Sequence, residues 1–63
     1  MREIKAWDGR TFRIGDKVSN GLGWDGEVIG LITAGILRIR WTTALAVSEG
    51  NSFVSDVKGP LGA

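Results

Sequence analysis

The sequence predicts an all-β fold: a small, strongly bent barrel of about five strands, preceded by an extra N-terminal hairpin. The clearest strand is residues 36–42, where Leu37, Ile39 and Trp41 alternate with Arg38 and Arg40. Residues 27–33 are rich in the β-branched side chains that favour strands. Ten glycines against one proline are typical of a chain that bends repeatedly without becoming disordered.

The N-terminal hairpin is predicted over residues 2–14, with its turn at Asp8-Gly9. An Asp-Gly pair between two short extended runs favours a type I′ turn, because both central residues of that turn require positive φ. Phe12 and Ile14 are expected on one face of the return strand. Asp8 and Asp16, each beside a glycine, are interpreted as turn-forming side chains.

The middle of the chain is predicted as two further strands separated by glycine-rich turns. Residues 19–23 have the composition of a loop, and Asp25-Gly26 is predicted as a second turn or a bulge. Gly30 within the apolar run indicates a bulge, a sharp bend or close approach of another backbone. Ala34-Gly35 is predicted as a tight two-residue turn.

The C-terminal third has weaker signals. Residues 43–48 suit a fourth main strand or a single helical turn, and Glu49-Gly50-Asn51 is predicted as a turn. Residues 52–57 suit a short last strand or a 3₁₀ turn. The anchors expected there are Phe53, Val54 and Val57, and the aromatic side chains expected in the core are Phe12, Trp41 and Phe53.

Length and composition narrow the class of protein. Sixty-three residues predict one domain, residues 1–58, with a flexible tail at 59–63. The absence of cysteine excludes disulfides, so a compact core or a partner subunit must stabilise the fold, and a homo-oligomer fits this need. No apolar run is long enough for a membrane span, and charges occupy the place of a signal peptide's apolar stretch. A cytoplasmic location is expected.

The available side chains limit the chemistry. Without histidine or cysteine, the usual general base, the strongest nucleophile and Cys/His metal sites are missing. Asp25 and Glu27 would lie on one side of a strand as a carboxylate pair, or serve as solvated charges. We predict no enzymatic activity for the monomer, no metal and no cofactor, because the interior of so small a barrel is filled by its own side chains.

One stretch resembles known families. The matching positions are Gly15, Asp16, Val18, Gly23, Gly26, Val28, Ile29 and Ile32. They look like the KOW element of ribosomal and transcription-associated proteins, a loop between two strands of an SH3-like barrel, with Tudor-like barrels sharing the outline. The same stretch also resembles plasmid-encoded type II dihydrofolate reductases. The likeness covers residues 15–41 and implies an SH3-like fold.

Both resemblances have departures that bear on function. RNA-binding KOW proteins carry basic residues around the loop, whereas residues 19–27 here contain two acids and no base. The reductases build a central pore shared by four subunits, with a Val-Gln-Ile-Tyr stretch, and this chain contains neither Gln nor Tyr. An oligomeric reductase with a shared pore therefore stays a remote alternative.

The predicted function is a non-catalytic binding module associated with nucleic acid. Arg38 and Arg40 share one strand face about 6–7 Å apart, a spacing close to that of neighbouring phosphates. Lys17 or Arg13 would extend this phosphate track. The alternative is that the arginines pair with acids across the sheet, at Glu27 or Glu49. The near-neutral charge, eight basic against seven acidic residues, supplies no long-range attraction to nucleic acid.

The second candidate function is a protein-interaction or assembly module. Trp24 and Leu22 lie in the glycine-rich loop, where a partner could dock, and an open sheet edge could pair with a partner strand. Trp24 and Trp7 each precede Asp-Gly and are expected near loop tips, as stacking platforms for a base or an apolar anchor. A stand-alone barrel of this length also fits a phage or mobile-element origin.

Overall fold

The computed structural model describes residues 2–43 and 45–61. The elements in these ranges are β1 (Glu3–Lys5), β2 (Thr11–Arg13), β3 (Lys17–Asn20), β4 (Asp25–Thr33), β5 (Ile36–Thr42), β6 (Val47–Phe53), a 3₁₀ helix (Val54–Asp56) and β7 (Val57–Lys58). β1 and β2 form a hairpin, and the other strands form an antiparallel sheet in the order β6-β5-β4-β3-β7. The sheet curls into a half-barrel compatible with an SH3-like barrel, which confirms the predicted fold class.

The core lies on the concave side of the curled sheet. The alternation predicted for β5 is confirmed, because Leu37, Ile39 and Trp41 are buried while Arg38 and Arg40 are exposed. Burial of each large apolar side chain contributes about 1.5–3 kcal/mol. The buried residues are Ala6, Phe12, Val18, Val28, Leu37, Ile39, Trp41, Val54 and Val57.

The first hairpin forms as predicted, but its turn differs. Ala6 N donates to Arg10 O at 2.6 Å, and Gly9 N donates to Ala6 O at 3.0 Å, which defines a three-residue loop. Gly9 has a φ of +96°, and among the described residues positive φ occurs only at glycines. Asp8 therefore lacks the positive φ that a type I′ turn requires, so that prediction is wrong.

The prediction of a second turn or a bulge at Asp25-Gly26 is wrong, because both residues belong to β4 and pair in unbroken register with β3 and β5. Gly26 is buried opposite Trp41, and a Cβ added there would lie 2.7 Å from Trp41 Cε3. The chain instead turns after Asn20, where Gly23 supplies the positive φ of +80°. The predicted loop 19–23 is consequently shorter, since its first two residues pair in β3.

The β4–β5 hairpin confirms two predictions. The pairing register shifts between Val28 and Gly30, so the strand carries the bulge or irregularity that Gly30 indicated. Thr33 pairs with Ile36, which leaves residues 34–35 as the two-residue turn.

The C-terminal third requires three corrections. Residues 49–51 are the middle of β6 rather than a turn, since each pairs with β5. The strand predicted over 43–48 begins only at Val47. Phe53 is 63% exposed rather than in the core, because it pairs with Ile36 on the convex face.

The 3₁₀ helix then brings Val54 and Val57 into the core as predicted. Ile14, expected to face inwards with Phe12, lies beyond the end of β2 and is 49% exposed.

The C-terminal segment follows β7 along the edge of β3. Leu61 N donates to Lys17 O at 2.8 Å. Residues 62 and 63 of the predicted tail, and Ala44 within the predicted strand 43–48, lie outside the described residues. The division into a domain at 1–58 and a flexible tail at 59–63 stays a prediction.

Candidate binding surface

A row of alternating charges crosses four strands on the convex face of the sheet. Lys17 pairs with Glu27, Glu27 with Arg40, and Arg40 with Glu49 in the strand registers. Lys17 Nζ lies 2.9 Å from Glu27 Oε1, and Arg40 Nε lies 3.0 Å from Glu49 Oε2. Lys17 and Arg40 thus share this charged row, but each has an acidic neighbour. For Arg40 this is the pairing that the alternative interpretation expected.

The other predicted cations are also paired. Arg38 Nη2 lies 3.7 Å from Glu49 Oε1, so one carboxylate faces both arginines of β5. Arg13 bonds Glu3 at 2.9 Å on the first hairpin and does not extend the charged row. These pairs are half-exposed and screened by water, so they neutralise the face without fixing its side chains rigidly.

The hydrogen bond from Lys17 lowers the pKa of the Glu27 carboxyl below its ordinary value, with a smaller contribution from the charge of Arg40. Because its pKa is lowered, Glu27 stays ionised to a lower pH than an ordinary glutamate does. Asp25, two residues earlier on the same face, has no ion-pair partner within residues 2–43 and 45–61. Asp25 is therefore the acidic group of this face that remains open to a partner.

Asn20 builds the loop that carries Leu22 and Trp24. Its Oδ1 accepts the N–H of Leu22 at 2.9 Å and that of Trp24 at 3.0 Å, and its carbonyl accepts Gly23 N at 3.1 Å. The loop therefore has a defined shape, which presents Leu22 at 75% exposure and Trp24 at 40%. Sequence reasoning did not single out Asn20, although the Asn-Gly pair at 20–21 signals such a turn.

Trp24 borders an open groove of about 560 Å³. Leu45, which is 96% exposed, also lines this groove. Thr43 Oγ1 accepts the N–H groups of Leu45 and Ala46, at 3.2 and 3.1 Å, and so shapes that wall. We call this the Trp24 groove, lined by Gly23, Trp24, Asp25, Thr42, Thr43 and Leu45.

A second groove, of about 390 Å³, adjoins the Trp24 groove. It includes Lys17, Glu27 and Arg40 of the charged row and shares Asp25 and Thr42 with its neighbour. An apolar region and a charge-balanced region therefore form one continuous surface. Leu45 was not among the site residues predicted from the sequence, because no local sequence pattern distinguishes it.

Trp7 lies at the other end of the molecule. The backbone N–H of Trp7 donates to Ala34 O at 3.1 Å. Its indole Cδ1 lies 3.6 Å from the position that a Cβ on Gly35 would occupy. Trp24 precedes the first residue of β4, whereas Ala34 and Gly35 follow its last residue, so the nine-residue strand separates the two tryptophans. Trp7 is 69% exposed, as expected for a loop tip, but it is not part of the surface that holds Trp24.

Comparisons with known proteins identify no relative, so the function is inferred from the geometry of the surface described above. No family model, no curated protein and no solved structure matches the chain. In the part of the chain that the structure describes, no helix is long and apolar enough to cross a membrane. The same part contains no cluster of three acidic, histidine or cysteine side chains that could hold a metal ion.

Proposed function

We propose that this protein is a non-catalytic binding module and that it recognises a segment of another protein at the Trp24 groove. The observation that carries the proposal is the pair of exposed apolar side chains, Trp24 and Leu45, that line the same open groove. Exposed aromatic side chains beside a groove are typical anchors of protein interfaces.

The lining of the groove defines the partner chemistry. Its volume lies within the range of small-ligand and peptide sites. Trp24 and Leu45 favour an apolar side chain between them, and Asp25 favours a lysine or arginine next to that anchor. The charged row beyond Asp25 is balanced, so a partner with mixed charges meets no net repulsion there.

Nucleic-acid binding is the second candidate. The KOW-like outline of residues 15–41 and the Arg38–Arg40 pair favour it. A phosphate would have to displace Glu49 from both arginines, which are 46% and 49% exposed and so within reach of a ligand. We rank this function second because every cation of the proposed phosphate track has a carboxylate partner. An oligomeric reductase with a shared pore remains the remote third alternative.

To test this proposal, peptides that bind the wild-type protein are selected from a random library. Their affinities are then measured for the wild type and for two matched tryptophan variants. We expect peptides with an apolar anchor beside a lysine or arginine. Trp24→Ala should weaken their binding about tenfold or more. Trp7→Ala removes an exposed tryptophan from the opposite end and should leave binding unchanged.

Labelled single-stranded DNA, double-stranded DNA and RNA are titrated in parallel at low and high salt. Binding that weakens steeply with salt and is lost in Arg40→Gln would place nucleic acid first. Equal peptide binding by wild type and Trp24→Ala would remove the Trp24 groove from the proposal.

A further inference from the structure

β6 is an open edge of the five-stranded sheet. Among the residues that the structure describes, it pairs with β5 and with no other strand. It is seven residues long, whereas β7 at the opposite edge has two. A long edge strand presents unpaired backbone groups that can pair with another strand. Its sequence, VSEGNSF, contains neither the lysine nor the proline that commonly block such edges.

The hydrogen bonds at the two ends of the β5–β6 pair identify the free backbone groups. Val54 N donates to Gly35 O, and Thr43 N donates to Ala46 O, both at 2.9 Å. The register between these bonds is unbroken, and opposite residues of antiparallel strands alternate between bonded and non-bonded pairs. The even-numbered residues of β6 therefore face β5. The groups that turn away from it are those of Val47, Glu49, Asn51 and Phe53.

We propose that two copies of the chain pair antiparallel through β6, with Gly50 of each copy opposite the other on a two-fold axis. In this register Val47 faces Phe53 of the second copy, and Glu49 faces its Asn51. Each outward residue then donates one hydrogen bond and accepts one across the interface. The contact is isologous, so it closes at two copies.

The side chains favour this register over its neighbours. Gly50 falls in a non-hydrogen-bonded pair, where Cα atoms approach to about 4.5 Å and the lack of Cβ removes any clash. Val47 and Phe53, 62% and 63% exposed, become aromatic–aliphatic pairs at both ends. A shift that centres Glu49 sets two carboxylates opposite each other, which is unfavourable. A shift that centres Asn51 leaves Val47 without a partner.

The charge of Glu49 does not oppose the proposed pairing. Its carboxylate lies 3.0 Å from Arg40 Nε and 3.7 Å from Arg38 Nη2 of its own chain. The residue that it faces in the second copy is the neutral Asn51. The charge of the β6 edge is therefore balanced within each chain, and no like charges face each other when two copies pair in this register.

The variant Asn51→Asp tests dimerisation without disturbing the fold of the monomer. Within the chain residue 51 lies opposite Arg38, so an aspartate there suits the monomer. In the dimer it faces Glu49 of the second copy, which creates two like-charged pairs. We expect sedimentation of the full chain up to about 1 mM to show a monomer–dimer equilibrium, and Asn51→Asp to raise its Kd about tenfold. Ser55→Asp adds the same charge off the edge and should leave the Kd unchanged.

Amide hydrogen exchange supplies the readout that locates the interface. As protein concentration rises, the N–H groups of Val47, Glu49, Asn51 and Phe53 should gain protection. A chain that stays monomeric at about 1 mM would overturn the proposal. So would an unchanged Kd in Asn51→Asp, or a dimer that leaves these outward amides unprotected.

Discussion

The guanidinium group of Arg10 holds the carboxylate of Asp8 through Nε at 2.8 Å and Nη2 at 2.6 Å. The same group donates from Nη1 to the carbonyl oxygen of Val57 at 2.6 Å and of Gly59 at 3.1 Å, and from Nη2 to that of Val54. Arg10 therefore ties the first hairpin to a segment 47 positions further along the chain. Asp8 orients this connection and also accepts the N–H of Arg10, two residues on, in the turn-forming role expected of it.

Replacing Arg10 should destabilise the protein strongly. Arg10→Ala leaves carbonyl groups of the C-terminal segment without their donors and removes the contact of the guanidinium with the Phe12 ring, 5.1 Å from its centroid. We expect a loss of about 2–3 kcal/mol in the free energy of unfolding, measured by urea denaturation. Arg13→Ala, which breaks an exposed pair, is the matched control and should change stability little. Equal effects of the two variants would contradict the role of Arg10.

The same connection predicts a pH dependence. Hydrogen bonds from the Arg10 side chain and then from its backbone N–H lower the pKa of Asp8 in the folded state. A lowered folded-state pKa gives stability that is present above the ordinary carboxyl value, about 3.9, and is lost as pH falls through the folded value.

We expect unfolding curves of wild type to lose this contribution in acid and those of Asp8→Asn to lack it. An NMR titration of Asp8 should move back towards the ordinary value in Arg10→Ala, and an unmoved midpoint would contradict the assignment.

Gly26 should tolerate no side chain. An added Cβ would lie 2.7 Å from Ile39 Cγ2 and 2.7 Å from Trp41 Cε3, both in the packed core. Gly26→Ala should therefore cost about 1–3 kcal/mol of unfolding free energy through overpacking. Gly21→Ala is the control, because nothing lies within 4 Å of its Cβ position. Thermal unfolding of the two variants gives the comparison, and similar melting temperatures would exclude the close approach.

The two phenylalanines should behave differently. Phe12 is fully buried, so Phe12→Ala should cost about 3–5 kcal/mol, enough to leave a domain of this size largely unfolded. Phe53 is 63% exposed, and Phe53→Ala should cost less than about 1 kcal/mol in dilute solution. Circular dichroism and NMR dispersion distinguish the outcomes. An unfolded Phe53→Ala would contradict the outward orientation of that side chain.

Several elements could be predicted because their signals are local. The alternation of apolar and charged residues over 36–42 predicts a strand with one buried face without reference to any other segment. The turn at Ala34-Gly35 is predicted because an extended run lies on each side of it. The exposure of Leu22, Trp24 and Trp7 followed from their places in or beside glycine-rich turns. The candidate surface could be predicted only in part, because Leu45 and Trp24 line one groove from segments about twenty residues apart, which no local pattern reveals.

Long-range pairing decided the rest. Gly26 and Gly50 have the neighbours of turn residues, yet each lies within a strand, because pairing with β5 satisfies its backbone groups and the core leaves Gly26 no room for a Cβ. The sequence by itself determined the class of fold, the main apolar face and the absence of histidine and cysteine chemistry. Only the tertiary structure decided that Glu49 faces Arg38 and Arg40, since strand register, a property of chain segments brought together in space, selects which charges meet.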